Sequence, residues 1–372
     1  MTRRSATRLQ VSAHRYLARR MERALRCGQP AGAPAPGGNA LAAGALVSVL
    51  ALAGAVVLAV VRPQPDLGDA PILLDRASGA LYVRIGDTVH PVSNLASARL
   101  IAGTAADPRP VAGTAIGRTR RGPPLGIPGA PSALGPALEA NATWSLCDDG
   151  AGGTTLLAGI EPPASVLIEP PEAVAVVAES GTAYLLRSGR RIPVNPAEPV
   201  LESAPPRRVS GLLLNAVPEA PPAQLTDSGE RLAVLPAPAV TLCVHWRTDD
   251  AAGITLSAGV GPPLPAGAAP TVLAQADGPG PALDAVYLPP GRSAFVRGAG
   301  ASGQPGGAAY LIAETGERFT VADAGAARDL GLPAVPTAVP WPMLAGLPAG
   351  PLLGRQQALS VGDVVSRPPP DR

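Results

Sequence analysis

The sequence predicts a single-pass membrane protein. Its external part reads as mainly β, of α+β class, with a disulfide-stapled central β core flanked by small hairpin-plus-helix repeats. Three observations predict this. One uncharged stretch separates a basic leader from an acidic remainder, two cysteines sit in matching hairpin contexts, and a tyrosine-led hairpin motif occurs three times.

The uncharged stretch is residues 40–61, ALAAGALVSVLALAGAVVLAVV, with no charge, no proline and one hydroxyl, Ser48. A helix of this length spans roughly 33 Å, enough for a bilayer core of about 30 Å. Arg62 and Pro63 are expected to end it. Residues 1–39 hold eight arginines and one acid, Glu22, while the rest of the chain holds 22 arginines and 27 acids. Arginine excess marks the cytoplasmic flank, so the N-terminus is expected inside and the C-terminal part outside. A cleaved signal peptide is the alternative, but its apolar region is usually about 7–15 residues long and follows a short leader. Gly44 and Ser48 lie one turn apart, a small-residue spacing that allows close helix packing.

The leader itself is patterned. Ala13, Tyr16, Leu17, Met21, Ala24 and Leu25 recur at helical spacing, with Arg15, Arg19, Arg23 and Arg26 mostly on the other side and Ser12 as a candidate cap. Such a helix can lie on anionic lipid, or dock the stripe of Tyr16, Leu17, Met21 and Leu25 on a cytosolic neighbour. The membrane tether and the absence of a binding fold argue against nucleic acid.

Cys27 falls inside and is expected reduced. Cys147 and Cys243 fall outside, where thiols can pair. Their surroundings, TWSLCDDGAGGTTLLAGI (143–160) and TLCVHWRTDDAAGITLSAGV (241–260), both read as hairpins, so one sheet built from both and stapled by Cys147–Cys243 is expected. Two buried free thiols are the alternative. A metal site is disfavoured, because two cysteines and a lone His245 lack ligand spacing.

The repeats are GALYVRIGDTVHPV (79–92), GTAYLLRSGRRIPV (181–194) and GAAYLIAETGERFTV (307–321). Tyr82, Tyr184 and Tyr310 lead them and are expected to pack in the core. A short helix should follow each hairpin. Asn94 caps the first before Gly103, Asn195 the second beginning at Pro196, and Asp323 the third before Gly331.

Reactive chemistry is sparse. All 30 basic residues are arginine, so the lysine of a phosphate-binding P-loop has no representative. His90 and His245 are the external histidines, and no nucleophile–base–acid pattern surrounds them. Asp148–Asp149 and Asp249–Asp250 read as turn formers rather than a catalytic pair. No catalytic, cofactor-binding or metal-binding residue is expected. A polymer-binding anchor is a further alternative, but two Phe, three Trp and five Tyr leave few aromatic platforms to spare.

Several segments carry a resemblance in this order: VSAHRYLARRMERAL, the apolar helix, LYVRIGDTVHPVSNLASARLI, GIPGAPSAL, WSLCD, LLNAVPEAP, LCVHW and LPPGRSAFVR. The chain resembles the EccB family, a membrane-core component of the type VII (ESX) secretion system of actinobacteria. The resemblance implies an elongated extracytoplasmic domain, a structural role in the translocon, and a cell-membrane location. It implies EccC, EccD and EccE as partners, beside homo-oligomeric contacts and membrane lipid. It also makes EccC or EccD the expected neighbour for the leader helix. Family members are often labelled ATPases, so nucleotide hydrolysis, with ATP as cofactor, is the alternative function. The expected organisation is a basic helix and linker over 1–39, a membrane helix over 40–61, the external domain over 62–365, and a disordered tail over 366–372. Within the external domain, repeat units lie near 71–130, 175–225 and 305–360, and the core near 140–170 and 235–296.

Overall fold

In the computed structural model the described residues are 8–27, 38–61, 67–163, 166–195, 197–199, 201, 204–220, 233–235, 241–247, 254–300 and 305–361. They fall into two compact units, Met1–Asp66 and Leu67–Arg372.

The first unit holds two helices. Helix α1 (Arg8–Cys27) contains neither proline nor glycine and is rich in Arg, Leu and Ala, all good helix formers. It begins four residues before Ser12, so Ser12 is not its cap; the hydroxyl instead donates back to the Leu9 carbonyl at 2.9 Å. Helix α2 (Gly38–Val61) has 24 residues and no charged side chain. Among the described residues no helix is long and apolar enough to cross a membrane. The expected ends at Arg62 and Pro63, the linker over 28–37 and the tail over 366–372 lie outside the described residues.

The second unit is built from repeats threaded around one sheet. Repeat unit 1 runs β1 (Ile72–Asp75), β2 (Leu81–Ile85), β3 (Thr88–Val92), α3 (Leu95–Ala102), β4 (Arg109–Val111), α4 (Gly113–Gly117) and β5 (Arg120–Arg121). The first three strands form an antiparallel meander; β4 returns parallel to β1 and β5 parallel to β3, giving the order β4-β1-β2-β3-β5. Next come β6 (Trp144–Asp148) and β7 (Thr154–Ala158) of the central sheet.

Repeat unit 2 follows the same path: β8 (Glu172–Val177), β9 (Ala183–Arg187), β10 (Arg190–Val194), β11 (Arg207–Arg208) parallel to β8, and α5 (Gly211–Ala216). After α5, Glu219 bridges in parallel to Arg191 of β10, and β12 (Ala233–Leu235) adds to β8. The chain then completes the central sheet with β13 (Thr241–Trp246), β14 (Ile254–Gly259), β15 (Thr271–Val272) and β16 (Ala285–Tyr287).

Repeat unit 3 runs β17 (Ala294–Ala299), β18 (Pro305–Ile312), β19 (Arg318–Val321), α6 (Ala324–Leu330), β20 (Thr337–Pro340), α7 (Trp341–Ala345) and α8 (Arg355–Ala358). Here β20 is parallel to β17, and Ala349 bridges in parallel to Arg318.

The repeat is therefore larger than a hairpin with a helix. Each unit adds a leading strand, a parallel return strand and a second short helix. The caps predicted at Asn94 and Asp323 form. The Asn94 side chain accepts from Ser97 N–H at 2.8 Å and that of Asp323 from Ala326 N–H at 2.7 Å, with Gly103 and Gly331 closing both helices in the left-handed conformation. The Asn195 side chain accepts from Ala197 N–H at 3.0 Å, and Pro199 and Leu201 are helical; Pro196, the expected first residue of that helix, lies outside the described residues.

Burial couples the units. Helices α3, α6 and α8 pack together, and Ile72, Leu100 and Leu353 of units 1 and 3 share one core with Phe319. Arg99 Nη1 donates to the Leu330 carbonyl at 2.9 Å, closing that contact. The larger core lies between the central sheet and units 2 and 3, around Trp144, Leu213, Leu256 and Met343. Each leucine fully buried there contributes about 1.5–3 kcal/mol.

Candidate functional site

The central sheet has the order β14-β13-β6-β7-β16-β15, so the two cysteine hairpins form one sheet with β13 and β6 adjacent. The register places Cys243 opposite Cys147, His245 opposite Ser145 and Trp246 opposite Trp144. Side chains alternate across a strand. Trp144, Leu146, Leu242, Val244 and Trp246 thus face the main core, while Ser145, Cys147, Cys243 and His245 share the other face. Cys147 and Cys243 are disulfide-bonded, with S–S 2.06 Å.

Beside the disulfide, His245 is buried between two hydroxyls, Ser145 Oγ at 2.6 Å from Nδ1 and Ser257 Oγ at 2.7 Å from Nε2. In the neutral ring one nitrogen donates and the other accepts, so both contacts are satisfied. Burial pushes the imidazole pKa down to about 4. A serine against an imidazole is the start of a hydrolase site. Here, however, the second nitrogen meets a serine where an orienting acid is needed, and all three side chains are buried. The arrangement holds β6, β13 and β14 together.

The depressed pKa has a sign. The unfolded chain takes up the proton near pH 6.5 and the folded one only near 4, so this group's stabilisation is full above about 6.5 and is lost on the way down to 4. The expected loss is about 2 kcal/mol by pH 5 and about 3 kcal/mol by pH 4. Urea unfolding across this range checks it. His245→Gln keeps polar contacts without titrating and should flatten the slope; an unchanged slope refutes the assignment.

Asp148 was expected to form a turn, and its role is larger. It is buried, accepting from Arg207 Nη2 at 2.7 Å, from Ser210 N–H at 2.7 Å and from Gly150 N–H at 2.9 Å. Ser210 is the cap of α5, so one carboxylate pins repeat unit 2 to the central sheet. Its neighbour Asp149 does form the turn, accepting from Ala151 and Gly153 N–H. Asp249 and Asp250 lie outside the described residues. A second carboxylate, Asp284, accepts from the N–H groups of Thr154, Asp277 and Gly278. These bonds hold its pKa below the ordinary value against the opposing effect of burial. Sequence reasoning missed Asp284 altogether. His90 Nδ1 lies 3.0 Å from the Pro123 carbonyl.

A cavity of about 450 Å³ opens at the end of β6, lined among others by Glu139, Asn141, Thr143, Glu161 and Arg292. The Glu161 carboxylate accepts from the Thr143 hydroxyl and pairs with Arg247 at 3.2 Å. Among the described residues no cluster of three or more His, Cys, Asp or Glu could hold a metal.

The remaining predicted positions lie in the first unit. Tyr16, Leu17, Met21 and Leu25 are all exposed along α1. On α2, Ser48 Oγ donates to the Gly44 carbonyl at 2.9 Å, and a Cβ at Gly44 would meet nothing within 4 Å.

Residues 3–233 and 228–367 match the family described as type VII secretion system ESX-1, transport TM domain B. The chain is 30% identical over 441 residues to a protein of Mycolicibacterium smegmatis named ESX-3 secretion system ATPase EccB3, covering 89% of this chain and 85% of that one. Among solved structures, it is similar to a chain of an intact ESX-5 inner membrane complex, with TM-score 0.68 and 26% identity over 100% of this chain and 98% of that one. It is also similar to an EccB3 dimer from the ESX-3 core complex, with TM-score 0.62 and 26% identity over 78% of this chain and 100% of that one.

Proposed function

The chain belongs to the EccB family of type VII (ESX) secretion, and from that premise we propose how it is built into the membrane complex of which it is a structural subunit. The observation that carries the role is likeness over the whole chain to a subunit of an intact inner membrane complex. The polar groups fit that role: Asp148, Asp284 and His245 tie strands and loops together. The word ATPase belongs to the relative's name. Without lysine, this sequence has no residue to take the phosphate-binding place of a P-loop.

In this reading α2 is a single membrane crossing, with α1 inside and residues 67–361 outside. The described side chains of α2 cover 42–57, and the uncharged sequence around them runs from 40 to 61. That is the length a crossing takes. Gly44 and Ser48 offer a small-residue face for a neighbouring helix. Helix α1 presents Tyr16, Leu17, Met21 and Leu25 to a cytosolic neighbour, EccC or EccD, and EccE completes the partner set. Co-purification in mild detergent tests this. Wild-type chain should carry the other membrane subunits with it. Leu17→Glu with Met21→Glu should insert normally, with a C-terminal reporter active only outside, yet lose them. Normal co-purification by the double variant would return α1 to lipid, and an external N-terminus would overturn the topology.

A further inference from the structure

Each repeat unit stacks an arginine on its leading tyrosine. In unit 2 the Arg191 guanidinium lies 5.5 Å from the Tyr184 ring, donates to the Leu214 carbonyl at 2.9 Å, and meets Glu219 Oε2 at 3.4 Å. In unit 1 Arg121 lies 5.6 Å from Tyr82. Asp75 is held below its ordinary pKa by the Ser78 hydroxyl and the Ala77 N–H, and in smaller part by the Arg121 charge. Arg191 therefore has an internal carboxylate against it, and the charge of Arg121 is felt by Asp75.

Unit 3 keeps the backbone and, among the described residues, lacks the carboxylate. Arg191 N–H donates to Pro218 O and Ala220 N–H donates to Arg191 O; likewise Arg318 N–H donates to Pro348 O and Gly350 N–H to Arg318 O. Arg191 bridges to Glu219, and Arg318 bridges to Ala349. Ala349 thus stands where Glu219 stands. The Arg318 guanidinium lies 5.1 Å from the Tyr310 ring and 4.7 Å from the Trp341 ring, and its Nη1 is buried with no hydrogen-bond partner among the described residues. Trp341 is 43% exposed, whereas Trp144 and Trp246 are buried. A partly desolvated cation beside an exposed tryptophan is costly left alone and is the composition of interface hot spots.

We infer that Arg318, Trp341 and Tyr310 form a docking point for a carboxylate side chain of a neighbouring subunit, which fills the place that Glu219 fills in unit 2. The inference rests on the chain acting inside a membrane complex. A carboxylate is favoured over a lipid phosphate because the internal counterpart is glutamate at a bridge position. Burial lowers the Arg318 pKa, as expected of a guanidinium short of an anion.

Ala349→Glu tests it on the full chain, because it supplies the missing group from within. The variant should melt at or above the wild-type temperature, yet co-purify with the membrane subunits roughly tenfold less well. Arg318→Gln should lose the same subunits, and Arg297→Gln, an exposed arginine of β17, should not. If Arg318→Gln fails to fold, Ala349→Glu still decides, since unit 2 already carries glutamate at this position. Equal assembly by Ala349→Glu and wild type overturns the inference alone. Failure of the wild type to co-purify overturns the functional reading and the inference with it. A photo-crosslinker at position 349 should capture a subunit peptide containing Asp or Glu; capture of lipid alone counts against the docking point.

Discussion

Replacing Asp148 with alanine is expected to destabilise the unit Leu67–Arg372 by about 3–5 kcal/mol. The carboxylate is 1% exposed and its partner Arg207 is 10% exposed at the side chain, so neither is well hydrated. Removing the acid takes from the buried guanidinium the carboxylate that it meets at 2.7 Å and orphans the N–H of Ser210. The loss should appear first as release of repeat unit 2, because Arg207 and Ser210 flank the start of α5. Urea unfolding of the full chain in detergent measures it. Replacing both partners, Asp148→Leu with Arg207→Met, should cost clearly less than Asp148→Ala alone, since no charge is then stranded. A cost below about 1 kcal/mol for Asp148→Ala would refute the buried-pair account.

Removing the disulfide should cost about 2–4 kcal/mol. Cys147 and Cys243 are 96 residues apart, and the bond forbids the unfolded chain most of its open conformations. The two residues already face each other in the β6–β13 ladder, so Cys147→Ser with Cys243→Ser should leave the folded sheet unchanged. The effect then lies in the unfolded state. Thermal melting with and without reductant checks this: wild type should fall to the level of the double variant on reduction, and the variant should not respond. Equal melting of oxidised and reduced wild type would remove the staple from the account.

Much of this was legible in the sequence because the signals were local. The hairpins follow from glycine turns between alternating strands, and the Asn94 and Asp323 helices from a cap, a short apolar segment and a glycine. The paired cysteines were legible because their contexts matched. The leading strands were missed for a physical reason: EAVAVV, at 172–177, is almost wholly buried and has no polar face to reveal a period. The return strand Arg207–Arg208 is two charged residues long, and only its parallel partner β8 makes it a strand. Asp148 was read as a turn residue, although it continues the Trp144–Leu146 face, where a carboxylate must be paired. The arginine of each repeat became visible only when the bridges aligned Glu219 with Ala349.

The shared core of units 1 and 3 sets the order in which the molecule can be finished. Arg99 and Leu330 are 231 residues apart, and α3 packs both on β2 of its own unit and on α6 and α8 of unit 3. A chain delivered from its N-terminus presents α3 first and its unit 3 partners last, and β6 with β7 waits for β13 across the whole of unit 2. Such non-local closure is slow, because loop entropy is spent before the contacts return it. Ala96, Leu100 and Ile101 therefore lack part of their core until the last sixth of the chain has arrived, and the core shared by units 1 and 3 is complete only when both are present.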